Sequence, residues 1–331
     1  MAVAATGTTA TEDVQGECLR FGVYPGNTFT VGKYAGLPGA PGAPLYGHRA
    51  LAAMEDLAGG RDFDIHFYAS WRDGLRRDTI DAMRLVARRG LQVNLALKYL
   101  PPEGRDGDIV GFASWVAAIV RTHPEVTTVQ VTNEANSGAS TDSDGGSTDP
   151  LGALIEGVKS AAQVKKKHQQ IGFNWFYRLD PVSDQQFWST LGQRGGQAFR
   201  DAVDWAGVDI YAGTYVPPAF SVDDEADFRA ALEYTRNEMM PLAGLGPDVP
   251  LYVQETGYPT LAVGRDGQRQ ADALAAYIRA TAGLNVQLIQ WFQLADAEST
   301  LGDGWGLVDS AYEPKPAYYV MRDAARRHVP C

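Results

Sequence analysis

Eight strand-like runs, each followed by a helical run, fill most of this 331-residue chain and constrain its fold more than any other feature. Strands are expected near 19–24, 63–68, 91–97, 127–133, 170–175, 204–211, 250–255 and 286–293. Helices are expected near 47–58, 77–89, 107–122, 150–168, 184–203, 223–240, 267–282 and 315–327. Asp149-Pro150, Ser183-Asp184 and Asp223-Asp224 supply helix-start signals. Such alternation implies parallel strands joined by right-handed crossovers. Eight units in about 310 residues match a single (β/α)8 barrel, a TIM barrel of class α/β. The alternative, an open doubly wound sheet, usually has fewer units and a Gly-rich phosphate fingerprint after its first strand, which is missing here.

Parity within the strands supports closure. Phe63, Ile65 and Phe67 share one face of the second strand, opposite Asp64, His66 and Tyr68; Leu91, Val93, Leu95 and Leu97 alternate with Gln92, Asn94, Ala96 and Lys98 in the third. The apolar set is expected against the helices and the polar or small set inside the barrel. For Asp64 and Asn94, a satisfied buried network and a ligand site both fit. The barrel is expected to fill residues 17–331. Residues 1–16 are expected to be a disordered tail without the basic and apolar regions of a signal peptide. They read as what remains after a leader is removed, which points to an exported protein, with the cytoplasm as the alternative.

Composition removes several function classes. A net charge of −11 repels nucleic-acid backbones. The one basic run, Lys165-Lys166-Lys167, is expected in the last turn of a helix, where cations suit the dipole. No apolar stretch is long enough to span a membrane. There is no Gly-x-Ser-x-Gly elbow, His-Glu-x-x-His helix or Walker loop, so neither a metal nor a cofactor is expected. Asp142-Ser143-Asp144-Gly145 lacks the closing Glu of a calcium loop, and 135–149 is expected to be a mobile polar loop. Cys18 precedes the first strand and Cys331 ends the chain, on the same bottom face of a closed barrel. A disulfide and two free thiols are both open. The balance of charge favours a monomer.

The chemistry resides in two glutamates. Glu134 ends Thr-Val-Gln-Val-Thr-Asn-Glu (128–134), and Glu255 lies in Pro-Leu-Tyr-Val-Gln-Glu-Thr-Gly-Tyr-Pro (250–259). A barrel enzyme carries its chemistry at the C-terminal ends of the strands. Two carboxylates facing each other there are what glycosidic cleavage requires. The plainer reading is that each caps a strand and pairs with a surface Arg.

Asn133-Glu134 after the fourth strand, Glu255 after the seventh and Trp291 on the eighth resemble the retaining glycoside hydrolases of clan A. Glu255-Thr-Gly-Tyr-Pro259 is similar to the nucleophile strand of that clan's endo-β-1,3-glucanases and endo-β-1,4-galactanases. Trp305-Gly-Leu-Val-Asp309 and Lys315-Pro-Ala317 resemble its last loop and helix. The resemblance implies a carbohydrate substrate, with Glu134 as general acid/base, Glu255 as nucleophile, Asn133 on the sugar 2-hydroxyl, Tyr211 donating to the nucleophile and Trp291 flooring the subsite before the scissile bond. Arg72 is the nearest candidate for the arginine that the clan often carries near strand two. Tyr24, Trp71, Trp175, Tyr177, Tyr215, Tyr258 and Trp305 are candidates for stacking on sugar faces. His66 and Lys98 could bind hydroxyls or serve the fold. A β-linked glycan is the expected substrate, with β-glucan first and galactan or mannan next. The rivals are a glycan-binding barrel that does not cleave, and a barrel acting on phosphorylated metabolites.

Overall fold

The computed structural model describes residues 18–26, 44–138, 143–178, 180–212, 214, 224–261, 264–296 and 304–327. Eight strands, β1 (Arg20–Val23), β2 (Phe63–Ser70), β3 (Gln92–Lys98), β4 (Thr128–Val131), β5 (Gln170–Phe176), β6 (Trp205–Asp209), β7 (Leu251–Thr256) and β8 (Val286–Trp291), close into a barrel in chain order. β8 pairs in parallel with β1, from Arg20↔Leu288 to Val23↔Trp291. Between the strands run α1 (Pro44–Ala58), α2 (Arg77–Arg88), α3 (Ile109–Thr122), α4 (Pro150–Val164), α5 (Pro181–Arg200), α6 (Asp224–Tyr234), the single turn α7 (Met240–Leu242), α8 (Gly267–Ala280) and α9 (Pro316–Arg327). The (β/α)8 barrel expected from the alternation is the fold. Among the described residues no helix is long and apolar enough to cross a membrane.

Element ends differ from expectation where local chemistry intervenes. β4 stops at Val131 because Thr132 turns to φ 65°. α4 ends at Val164, so the three lysines follow the helix instead of forming its last turn, and Lys165 pairs with Asp204 at 2.5 Å. The cap of α5 is Asp180, not Ser183; its carboxylate accepts the Ser183 N–H. The long helix expected over 223–240 breaks into α6, a π turn at Thr235–Met239 and α7. Pro241 has no N–H to give to the carbonyl one turn earlier, so α-helical bonding lapses there. The turn aims the buried Arg236 guanidinium at the carbonyls of Val249 (2.7 Å), Leu284 (3.2 Å) and Asn285 (3.2 Å), tying down the entries to β7 and β8.

The barrel interior is stacked in three levels. At the bottom Arg20 meets Asp64 (3.3 Å) and Tyr252 (3.0 Å), and the Tyr252 hydroxyl donates to Gln170 (2.8 Å). The Tyr252 ring stacks on Trp205 at 4.8 Å. Gly172 makes room for that stack, since a Cβ there would lie 2.3 Å from the Trp205 ring. Above comes an amide level in which Gln254 Oε1 accepts from Asn94 (3.1 Å) and Gln290 (2.6 Å), and Gln290 bonds His66 Nδ1 (2.9 Å). The top level holds the two glutamates. Phe63, Ile65, Phe67, Val93, Leu95 and Leu97 are fully buried in the outer core, as their parity implies.

Residues 1–17, Tyr215 and Cys331 lie outside the described residues, and with them the expected tail and any Cys18–Cys331 pairing.

Candidate active site

Glu134 follows β4, and Glu255 is the penultimate residue of β7. One carboxylate oxygen from each, and one from Asp209 at the end of β6, all lie within 4.8 Å of one another. Different devices bring the two glutamates inward. Along β4, Thr128 and Gln130 already face the interior, and both Thr132 (φ 65°) and Glu134 (φ 49°) sit in the left-handed region flanking Asn133. Such conformations cost of order 1 kcal/mol each and persist only where the surroundings impose them. Simple alternation in β7 would point Glu255 out, because Tyr252 and Gln254 point in. Register shifts between Val208 and Asp209 and between Val253 and Thr256 turn it back over the axis.

Two phenols hold Glu255. The Tyr68 hydroxyl donates to Oε1 and the Tyr211 hydroxyl to Oε2 (2.8 Å). Burial, then the charge of Glu255, pushes both tyrosines well above the usual phenol range, so each keeps its proton to donate. Tyr211 sits where the sequence places it. Tyr68 was identified there only as an inward residue, yet it occupies the position for which Arg72 was the candidate. Arg72 instead donates to the Pro101 carbonyl (3.2 Å) on the exposed loop.

The turn that carries Glu134 is held from both sides. Asp144, fully buried in a 3-10 turn (Asp144–Gly146), accepts the N–H groups of Asn133 and Tyr99 at 2.7 Å each. That part of 135–149 is therefore a clasp, not the mobile loop expected; residues 139–142 lie outside the described residues. From β5, Asn174 Oδ1 accepts the Glu134 N–H (3.0 Å), and its amide donates to Asn133 Oδ1 (3.2 Å). Asn133 Oδ1 also accepts from Gln130 (3.1 Å).

Several expected site residues lie elsewhere. Trp291 is fully buried, faces Tyr277 on α8 and donates its indole N–H to the Trp305 carbonyl. It is not a cleft floor, because Leu288 and Gln290 fix the inward parity of β8 and the next inward residue is Phe292. Trp175 is buried by the same rule, edge-on to Trp188 of α5. His66 belongs to the amide level, and burial lowers its pKa to about 3, so its imidazole is neutral there. Trp71 packs on Tyr99, Phe112 and Arg105, Tyr177 on Tyr234, and Tyr258 under the Arg265 guanidinium. Lys98 lies at the end of β3 with its ammonium 5.8 Å from the Tyr68 ring centroid. The aromatics that remain form a closed chain around Glu255. Tyr68 meets Tyr24 edge-on (5.3 Å), Tyr24 stacks on Phe292 (5.2 Å), and Phe292 and Tyr211 each meet Trp305 edge-on (6.3 and 5.5 Å). Gly257 lets this wall close, since a Cβ there would lie 2.4 Å from the Phe292 carbonyl.

No family model matches the sequence, and no curated protein matches it. Solved structures do. A Thermotoga maritima β-glucosidase in complex with azafagomine superposes with a TM-score of 0.61 at 14% identity, covering 93% of each chain. A family 39 glycoside hydrolase from Bacteroides cellulosilyticus WH2 gives 0.60 at 15% identity, over 94% of this chain and 64% of the other. A Ruminococcus gnavus β-glucuronidase gives 0.59 at 14% identity, over 94% of this chain and 50% of its own. The likeness is one of fold. The chain spans about half the length of the β-glucuronidase and 64% of the family 39 enzyme.

Two predictions arise from these contacts. Tyr68→Phe removes one donor to Glu255, and a hydrogen bond to a charged group is worth about 1.5–3 kcal/mol. The expected result in steady-state glycosidase kinetics is a roughly 10- to 10²-fold drop in kcat with KM little changed; an unchanged kcat contradicts it. The second concerns Asp144, whose carboxyl burial pushes up to about 7, against the pull of the Asn133 and Tyr99 N–H groups and of Lys98. Its folded value lies above the unfolded one of about 3.9, so the folded chain binds the extra proton between the two. The stability this residue contributes is present at low pH and lost as pH rises from about 4 through 7. The amide oxygen of Asp144→Asn can still accept both N–H groups, so the melting temperature of the variant is expected to fall less than the parent's between about pH 4 and 7. A parental slope contradicts this.

Proposed function

We propose that the chain is a retaining β-glycoside hydrolase in which Glu255 is the nucleophile and Glu134 the general acid/base. One observation carries this reading: carboxylate oxygens of residues 134 and 255 lie within 4.8 Å of each other at the C-terminal mouth of the barrel. Retaining enzymes place the two groups about 5–5.5 Å apart, whereas an inverting pair needs roughly 6.5–9.5 Å to admit a water. The division of roles follows the surroundings. Glu255 accepts from two phenols, which suits the group that must stay ionised. Glu134 rides on a turn beside it, where it can reach the leaving oxygen.

Glu255 attacks the anomeric carbon while the glycosidic C–O bond breaks and Glu134 passes its proton to the departing oxygen. The glycosyl ester that forms neutralises Glu255. Glu134, now a carboxylate, takes a proton from water as that water attacks the same carbon and releases Glu255. The aromatic chain from Tyr24 through Phe292 and Trp305 offers faces and edges for a sugar ring. The β-glucosidase and β-glucuronidase neighbours act on β-glycosides, and the net charge of −11 suits a neutral or basic glycan better than a polyanionic one. A β-glucan is our first substrate class, with β-galactan and β-mannan next.

Incubation with a panel of β-glycans, followed by chromatography, tests the reading. Shortened oligosaccharides are the expected result. Tight binding without product would establish the glycan-binding rival instead.

A further inference from the structure

A third carboxyl lies beside the catalytic pair, and the double displacement does not use it. Asp209 ends β6, is fully buried, and offers an oxygen within 4.8 Å of both Glu134 and Glu255. Its Oδ2 accepts from Asn174, the residue that also holds the Glu134 N–H and Asn133 Oδ1. Asp209 Oδ1 is buried without a hydrogen-bond partner among the described residues. The ionisable groups around it are Glu255 from β7, Glu134 from the β4 loop, Tyr211 beyond its own strand and Tyr68 from β2; none of these is a cation. Burial, then the charges of Glu255 and Glu134, raises this carboxyl well above the usual range. Three carboxylates this close, away from water, cannot all ionise. Glu255 has two phenol donors to stabilise its charge, whereas Asp209 has an oxygen with none.

We propose that Asp209 is a positioning residue that stays a neutral acid throughout the working range, its proton on Oδ1, anchoring Asn174 and through it the Asn133–Glu134 turn without adding a third charge to the catalytic pair. The proposal rests on the assignment of Glu134 and Glu255 as that pair, and its primary test needs no turnover. Infrared spectra of the full chain at neutral pH are compared between Glu134→Gln and Glu134→Gln/Asp209→Asn. The protonated-carboxyl C=O band of the first is expected to lose one component in the second. Asp144 cancels in the difference. No lost component would mean that Asp209 is ionised, and would overturn the proposal even if glycan cleavage is established.

Kinetics give the second arm. Asp209→Ala is expected to lose about 10²-fold in kcat with little change in KM, as a misplaced catalytic group does. Asp209→Asn, which can still accept from Asn174, is expected to recover most of that loss with the alkaline limb of its pH–rate profile in place. An ionised Asp209 would instead raise the pKa of the acid beside it, so its removal would move that limb down by about a unit or more. Full activity in Asp209→Ala overturns the positioning role.

Discussion

Glu255→Ala is expected to lose at least about 10⁴-fold in turnover of a β-glycoside, because no intermediate can form without the nucleophile. Fold and melting temperature should be retained, since removing a charged group from beside two other carboxyls relieves repulsion in the folded state. The vacated space lies between the Tyr68 and Tyr211 hydroxyls, and a small anion can occupy it. Azide is therefore expected to restore part of the turnover with an activated substrate and to yield the α-glycosyl azide by a single displacement. A variant that hydrolyses at the parental rate would remove Glu255 from the chemistry.

Glu134→Ala has a different signature. General acid catalysis contributes about 10²- to 10⁴-fold, and the loss is expected to track the leaving group. Natural glycosides should lose nearly all of it, while a dinitrophenyl glycoside, which needs no proton, should still form the glycosyl enzyme and then stall. Azide attacking that intermediate gives the β-glycosyl azide. The two variants thus differ in the anomer of one product. Identical leaving-group dependence in both would contradict the division of roles.

Much of this was legible in the chain. Alternation of strands and helices identified the barrel, and period-two patterning in β2 and β3 set the faces correctly, so that Asp64, His66, Tyr68 and Asn94 point inward. The same parity, carried to β5 and β8, would have moved Trp175 and Trp291 to the helix side and put Asn174 and Phe292 in their place. Motif likeness drew the eye to tryptophan instead. Parity has its own limit in β7, where register shifts reverse the direction of Glu255, and a shift in strand pairing leaves no mark in one strand's residues. Asp209 did leave a mark: an acid amid Trp-Ala-Gly-Val-Asp-Ile-Tyr (205–211), a run otherwise suited to burial. The Asp144 clasp left none that spacing could reveal, because its partners Tyr99 and Asn133 are backbone groups from two other strand ends.

The account depends on residues 134 and 255 acting on one anomeric carbon from opposite faces. Proton NMR of a β-glycoside during its first turnovers by the parent chain tests this most directly, by reading the anomer released before mutarotation. The β-anomer is predicted, from two successive inversions through a glycosyl–Glu255 ester. Initial release of the α-anomer would mean that a single water displaces the aglycone, and would contradict it.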